Sequence, residues 1–380
     1  MMKILIFNYM ETMFPGGINK TIYEIASNLS KNGHEVIVLQ DNPFKLEEGT
    51  SCDGFKILRI KSRTANFLYG FSPEMYLYLK NNFKYLNPDL VHIHGYHSLL
   101  SPEILYLIRN FDRNIPIVFS PHYGVFSHST LAGKYLWGTY NRIVANKFIK
   151  HADMIICSSK FELDNFNKVS NSLIETRVIN HGINHIDLEQ ERYNHKGVNL
   201  LYVGHLLEVK GVQYILEALH ELIFNLNIKA TLTVIGEGPY KYKLMQLMDK
   251  LDIVNYVTWK DFIPLDKQKE LLECYKKSDV LLLLSKSENF GIVVAESLAM
   301  GTPTIITKRT ALMEFLDEKG CFGVDYPPNP KEVASAVLKI HRNNIRVDSL
   351  SNKIRLWKEV ALDYEQVYLD LLMKESLKCR

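Results

Sequence analysis

The stretch SENFGIVVAESLAMGTP, Ser287 to Pro303, carries Glu288 and Glu296 eight positions apart behind a strongly apolar run. If that run is a strand, Glu288 stands on the loop at its carboxyl end. Gly291 then lets the backbone approach a ligand before a helix opens over Ile292 to Met300. The amides at such a helix start receive phosphates, and Glu296 on its first turns suits the hydroxyl pair of a ribose, as the acid of dinucleotide folds does. The plainer alternative is a glutamate pair capping an ordinary amphipathic helix. After the apolar run Leu200 to Val203 come Gly204, His205 and, five positions after His205, Lys210 followed by Gly211. A lysine on that loop would neutralise a leaving diphosphate; a solvated surface lysine is the alternative. Gly16 and Gly17 follow the first apolar run and open another loop that could approach a ligand, with a helix soon after. The third glycine of G-x-G-x-x-G is missing and no acid follows about 20 residues on, so a nicotinamide site is not expected. There is no D-x-D pair for a metal-bound diphosphate, so no metal or other cofactor is expected, and cations and helix N-termini must do that work.

These residues need strands and helices to hold them. The first half alternates short apolar runs with amphipathic stretches: strands at Ile4 to Phe7, Glu35 to Leu39, Phe55 to Ile60, Leu90 to Ile93, Ile117 to Phe119 and Met154 to Cys157. Helices are predicted between them near Asn19 to Lys31, Pro73 to Phe83, Ser101 to Asn110 and Leu131 to Lys150, which is a βαβ rhythm. The rhythm restarts with NLLYVG, LEVKGVQYILEALHEL and ATLTVIGEGP. LEQERYNHKG between the halves is polar and without periodicity. The expected division is therefore 1–187 and 188–355, two Rossmann-like domains, and 356–380, a helix packing back on the first. Sheets of this kind take ligands at the carboxyl ends of their strands.

Composition narrows the class. The chain has 380 residues, 47% of them apolar, more than one core needs. A formal charge of +3 from 45 basic and 42 acidic residues gives no reason to expect nucleic acid as a partner. The five cysteines are scattered without C-x-x-C pairing and read as reduced thiols of a cytoplasmic protein. No apolar run approaches the roughly 18 residues of a membrane span. From His128 to Lys150, however, Lys134, Arg142, Lys147 and Lys150 alternate with Leu131, Tyr135, Leu136, Trp137, Ile143, Val144 and Phe148, with no acid among them. Helix 131–150 is thus either a solvated basic face or a peripheral contact with anionic lipid. The histidines of HIHGYH, His92, His94 and His97, invite a zinc reading, but packing or acceptor contact fits the two-residue spacing at a strand end better.

The set of segments resembles glycosyltransferase family 4 over nearly the whole chain: PGGINK, PDLVHIHG, SPHYG, VINHGIN, YVGHLLEVKGVQYILEAL, IGEGP, SENFGIVVAESLAMGTP and the closing WKEVALDYEQVYLDLL. The resemblance implies an α/β GT-B fold, two Rossmann-like domains with a cleft between them, and a retaining, metal-independent transfer of a hexose-type sugar. The donor would be a nucleotide-diphosphate sugar and the acceptor a hydroxyl of a glycan, a lipid-linked sugar or a small molecule. It further implies that Glu288 meets donor-sugar hydroxyls and Glu296 the ribose. The amides of Phe290, Gly291, Ile292 and Val293 would meet the diphosphate, with Asn289 beside them in the donor site. Lys210 would stabilise the charge on it, and His122 would lie beside the sugar. Gly16 and Gly17 would cover the diphosphate next to the acceptor. His205 stands where the family usually has arginine, so a permanent cation becomes an imidazole. Lys308 or Arg309 could restore that charge. The altered cation leaves a different class of reading open, a non-catalytic nucleotide-sugar or glycan-binding subunit. No carboxylate is marked as a nucleophile for double displacement, which favours attack on the same face that the diphosphate leaves.

Overall fold

The computed structural model describes residues 1–9, 11–14, 16–42, 45–62, 71–124, 131–170, 173–188, 197–264 and 267–378. The chain divides into two units, Met1–His181 with Trp357–Arg380, and Gly182–Leu356. The division falls before residue 187 because the intervening segment is bonded into the second unit. The Ile183 amide donates to the Arg355 carbonyl and the Asp187 amide to that of Ala299, both at 2.9 Å. Most of LEQERYNHKG lies outside the described residues.

In the first unit the chain runs β1 (Lys3–Asn8), α1 (Gly17–Lys31), β2 (Glu35–Asp41), β3 (Gly49–Cys52), β4 (Phe55–Ile60), α2 (Pro73–Leu86) and β5 (Leu90–His94). It continues through α3 (Leu100–Phe111), β6 (Ile117–Ser120), α4 (Leu131–Lys147), β7 (Met154–Cys157), α5 (Lys160–Asn167) and β8 (Thr176–Val178). The strands form one sheet in the order β3-β4-β2-β1-β5-β6-β7-β8. Only β3, paired with β4, is antiparallel. Central strands are buried end to end, as in β5 and β6, because helices cover both faces of a parallel sheet. Ser72 caps α2, its hydroxyl accepting from the Met75 amide at 3.2 Å, and Pro73 opens the helix where its missing N–H costs nothing. Helix α4 ends at Lys147, and a 3-10 turn, Ile149–His151, replaces the last turn that periodicity suggests.

The second unit contains β9 (Val198–Val203), α6 (Val212–His220), β10 (Ala230–Ile235), α7 (Lys241–Lys250), β11 (Val257–Lys260), α8 (Gln268–Lys276) and β12 (Val280–Leu283). Helix α9 (Ile292–Ala299), β13 (Thr304–Thr307), β14 (Cys321–Val324) and α10 (Pro330–Arg342) complete it. All six strands are parallel, ordered β11-β10-β9-β12-β13-β14. Each sheet therefore reverses direction once, between β1 and β5 in the first and between β9 and β12 in the second, and such switch points open a ligand crevice at the strands' carboxyl ends.

The last helix, α11 (Trp357–Lys378), belongs to the first unit and packs on α1. Trp357, Tyr364 and Tyr368 are buried, and at the rim Glu365 meets His34 at 3.0 Å and Asn32 at 2.8 Å. Among the described cysteines, Cys52, Cys157, Cys274 and Cys321 are free thiols. No described helix is long and apolar enough to cross a membrane.

Candidate functional site

In the second unit the switch point brings together the two loops that the sequence singles out. Beyond β9, the Tyr202 hydroxyl donates to the His205 carbonyl at 2.9 Å, and burial, then the charge of Glu288, keeps that phenol well above its ordinary pKa. A 3-10 turn, Glu208–Lys210, follows and ends at Gly211 with φ 78°. Any Cβ at Gly211 would stand 2.0 Å from the Leu284 carbonyl oxygen at the end of β12, so the two backbones approach as closely as only glycine permits. The Lys286 amide donates to the Val209 carbonyl at 2.7 Å, tying the loops a second time.

The consequence is a side-chain contact. Lys210 Nζ lies 2.5 Å from Glu288 Oε1, with the two side chains 22% and 14% exposed. Ser285 Oγ donates to the same carboxylate oxygen at 3.2 Å, and the Ser285 carbonyl accepts from Thr307 Oγ1 at 2.6 Å. An ion pair this shielded is held by more than surface Coulomb attraction and places both groups before chemistry begins. Asn289 is half-buried, and Phe290 is buried and meets Phe315 edge to face at 5.2 Å. Gly291, φ 98°, starts α9; a Cβ there would lie 2.4 Å from Leu312 Cδ2. The amides of Ile292 and Val293 stand in the first turn, where α-helical amides lack intrahelical acceptors.

Glu296 stands on α9 as the spacing requires, but it is only 4% exposed and accepts from the Tyr275 hydroxyl of α8 at 2.9 Å. Burial, then the charge of Glu296, raises that phenol well above its ordinary range. Neither Ser285 nor Tyr275 is signalled by the sequence; only the fold sets them against the two glutamates. His205 is exposed. Lys308 lies 3.7 Å from Asp325, and the Arg309 guanidinium stacks 5.1 Å over the Tyr326 ring, so both cations are engaged toward β14 and the segment after it.

In the first unit, Gly16 caps α1 with φ 151°, and its carbonyl accepts from the Lys20 amide at 2.9 Å; Gly17 is the first helical residue. A buried polar network supports the loop before them. Glu11 binds Arg59 through both oxygens, at 2.8 Å to Nε and 3.0 Å to Nη2, and accepts from Gln40 at 2.6 Å. Gln40 in turn accepts from the Thr12 amide, and Asn19 reaches the Phe14 carbonyl, each at 3.1 Å.

His122, just past β6, has φ 47°, an uncommon backbone for a residue with a Cβ, and its Nε2 lies 2.9 Å from His94 Nδ1. His92 is bonded to Tyr368 at 2.7 Å and Ser120 at 2.9 Å, while His97 accepts from the Gly124 amide at 3.1 Å. His181 meets Thr21 at 3.4 Å. Burial pushes His92 down to about 3 and His122 to about 4, and holds His94 and His181 well below the ordinary imidazole range. Among the described residues no group of three or more His, Cys, Asp or Glu is arranged to hold a metal, and the histidines of HIHGYH pack and hydrogen-bond instead.

On the helical face of the same unit, α2, α3 and α4 border a groove of about 600 Å³ lined by Phe71, Tyr76, Pro102, Tyr106, Ile143 and Phe148 among others, nearly all apolar. Arg142, Lys147 and Lys150 are exposed on and just beyond α4. The side chains of Leu131, Lys134, Leu136 and Trp137 lie outside the described residues.

Comparison with known proteins agrees with this architecture. Residues 15–186 match the family described as Glycosyltransferase Family 4, and residues 185–357 match Glycosyl transferases group 1. The alpha-monoglucosyldiacylglycerol synthase of Streptococcus pneumoniae is 24% identical over 408 aligned positions, covering 99% of this chain and 88% of that protein. Sucrose-phosphate synthase from Thermosynechococcus elongatus superposes with a TM-score of 0.81 at 18% identity, over 98% of this chain and 99% of the other. Anabaena HepE in complex with UDP-glucose superposes with a TM-score of 0.66 at 15% identity, over 100% and 99% of the two chains.

Proposed function

Because the chain belongs to glycosyltransferase family 4 and is a glycosyltransferase of GT-B fold, we propose that it moves a hexose from a nucleotide-diphosphate sugar to an acceptor hydroxyl with retention and without a metal. The observation that carries this reading is the Lys210 and Glu288 pair, 2.5 Å apart at the switch point of the second sheet and next to the start of α9. The nucleotide diphosphate lies against the first-turn amides of α9, and Lys210 takes up the charge that grows on the leaving diphosphate. Glu288, held by Ser285, orients the sugar hydroxyls, and Glu296 the ribose. The family resemblance assigns the sugar contact to His122 and the diphosphate cover to Gly16 and Gly17. Departure leaves an oxocarbenium-like centre that the acceptor attacks on the same face, so positioning and preorganised charge supply most of the rate.

UDP-glucose, the ligand of the HepE complex, is the first donor to test. A donor that binds only the folded state raises the melting temperature, and Lys210→Ala and Glu288→Ala then lose turnover with folding intact. Normal turnover in both variants would sink the proposal. Donor binding without transfer to any acceptor would instead favour a non-catalytic sugar-nucleotide subunit, the reading that His205 in place of arginine keeps open. The apolar groove beside the basic residues of α4, together with the lipid product in the name of the Streptococcus relative, supports a lipid-linked acceptor reached by peripheral contact with an anionic membrane. Co-sedimentation with phosphatidylglycerol vesicles but not with phosphatidylcholine vesicles is the expected result; equal binding to neither removes this part of the proposal.

A further inference from the structure

His94 ends β5 and is 1% exposed, and its ring lies edge to edge with that of His122, with centroids 5.2 Å apart and planes 19° from parallel. The two rings meet through His94 Nδ1 and His122 Nε2 at 2.9 Å, a hydrogen bond in which one nitrogen must carry the proton and the other must not. Burial depresses both imidazoles, His122 to about 4, so at neutral pH neither is charged and a single proton lies between them. Which ring supplies it follows from the far side of His94. Its Nε2 is buried and has no hydrogen-bond partner among the described residues. If His122 were the donor, His94 would carry its own proton on that Nε2, leaving a buried N–H with no acceptor. If His94 is the donor, Nε2 is a bare lone pair. Among buried backbone groups an N–H with no acceptor is rarer than an acceptor left short of donors, and the imidazole nitrogen follows the same preference. The left-handed backbone of His122, φ 47°, fits the same picture, since an uncommon conformation is retained where the surroundings fix a side chain's direction.

We propose that His94 is a positioning residue that donates its Nδ1–H to His122 Nε2, fixing His122 as the Nδ1–H tautomer so that it offers a hydrogen-bond donor to a hydroxyl oxygen of the donor sugar. The second half of this inference rests on the proposed function, in which His122 meets the sugar; the tautomer does not. Setting a partner's tautomer through the opposite ring nitrogen is how a buried neighbour controls a histidine without touching substrate.

The test joins spectroscopy to kinetics. Long-range nitrogen–proton correlation spectra of histidine-labelled wild type at neutral pH should show His122 Nδ1 as the protonated, pyrrole-type nitrogen and Nε2 as the bare one. His94→Asn places an amide N–H near the lost Nδ1–H and should preserve that pattern, whereas His94→Leu should not. With UDP-glucose as donor, His94→Leu should lower kcat by about 10- to 100-fold, and His94→Asn should recover most of it. In both variants UDP, which lacks the sugar assigned to His122, should bind as in wild type. A wild-type His122 protonated on Nε2, or equal losses of kcat in the Asn and Leu variants, would overturn the inference. Should the Leu variant fail to fold, the wild-type spectrum and the Asn variant still decide. Absence of wild-type turnover with every nucleotide sugar refutes the proposed function instead, and the tautomer remains measurable.

Discussion

Replacing Gly211 by alanine is the sharpest perturbation available to the candidate donor site. At φ 78° the backbone is left-handed, which costs a residue with a Cβ roughly 1–2 kcal/mol. The new Cβ would also start 2.0 Å from the Leu284 carbonyl oxygen, about 1.4 Å short of ordinary contact, and the obstacle is backbone rather than a flexible side-chain tip. Overpacking of that kind costs about 1–3 kcal/mol more. A total of about 3 kcal/mol corresponds to a fall of about 6 to 12 °C in the melting temperature of a unit this size. Relief requires the Glu208–Lys210 turn to slide away from β12, and that slide draws Lys210 Nζ off Glu288 Oε1, now 2.5 Å away. Turnover should therefore fall by roughly 100-fold or more, as when a preorganised charge is displaced from a developing anion. The assay is differential scanning calorimetry beside initial rates with UDP-glucose. Gly138→Ala is the control, because that exposed helical glycine has nothing within 4 Å of its would-be Cβ and alanine should stabilise by up to about 1 kcal/mol. A Gly211→Ala protein that melts within about 2 °C of wild type and keeps its turnover would refute the reasoning.

Three further outcomes are expected. Arg59→Ala strips the partner from Glu11, whose side chain is 1% exposed, and should cost about 3–5 kcal/mol in urea unfolding; a loss below about 1 kcal/mol would mean that the pair is not what supports the loop. Tyr275→Phe removes the donor 2.9 Å from Glu296 Oε2 and should cost about 1–3 kcal/mol while changing UDP affinity in calorimetric titration; unchanged stability and affinity would count against the contact. His92→Gln tests the buried histidines through pH. Burial holds His92 at about 3 against an ordinary 6.5, so as pH falls between those values the unfolded chain takes up a proton that the native state refuses, and stability is lost. Asp41, Glu103 and Glu162, each pushed up to about 7 by burial, act oppositely: above the ordinary carboxyl range the unfolded chain ionises first, so stability falls as pH rises toward 7. The effect is therefore read as the stability of wild type minus that of His92→Gln, which should grow by about 1 kcal/mol per pH unit between pH 4 and pH 6.5. A gap that does not change with pH would dispose of it.

Legibility in the sequence followed the strength of the local pattern. The strands at Ile4 to Phe7 and Leu90 to Ile93 are continuous apolar runs because parallel strands are buried on both faces, and each appears within a residue or two of its expected place. β3, GTSC, and β8, TRV, carry no such run: they are short edge strands, half exposed, and their pairing comes from the neighbouring strand rather than from their own side chains. The last helix was readable from its apolar spacing and was expected to pack back on the first domain, but the element there that receives it was not readable. Its seat on α1 depends on residues such as Glu365, which meets Asn32 across 333 positions of sequence.

The candidate site divides along the same line. The sequence alone put Glu288 on a loop after a buried strand, Glu296 on the following helix and Lys210 on another βα loop, because residue type and the 2.0 and 3.6 periodicities are local properties. Tertiary structure decided that β9 lies beside β12, which closes Lys210 onto Glu288 over 78 residues of chain. It also turned Glu296 inward to Tyr275 and placed His94 against His122. Strand order and side-chain direction are settled by which surfaces are buried together across the whole unit. No window of local sequence holds that information.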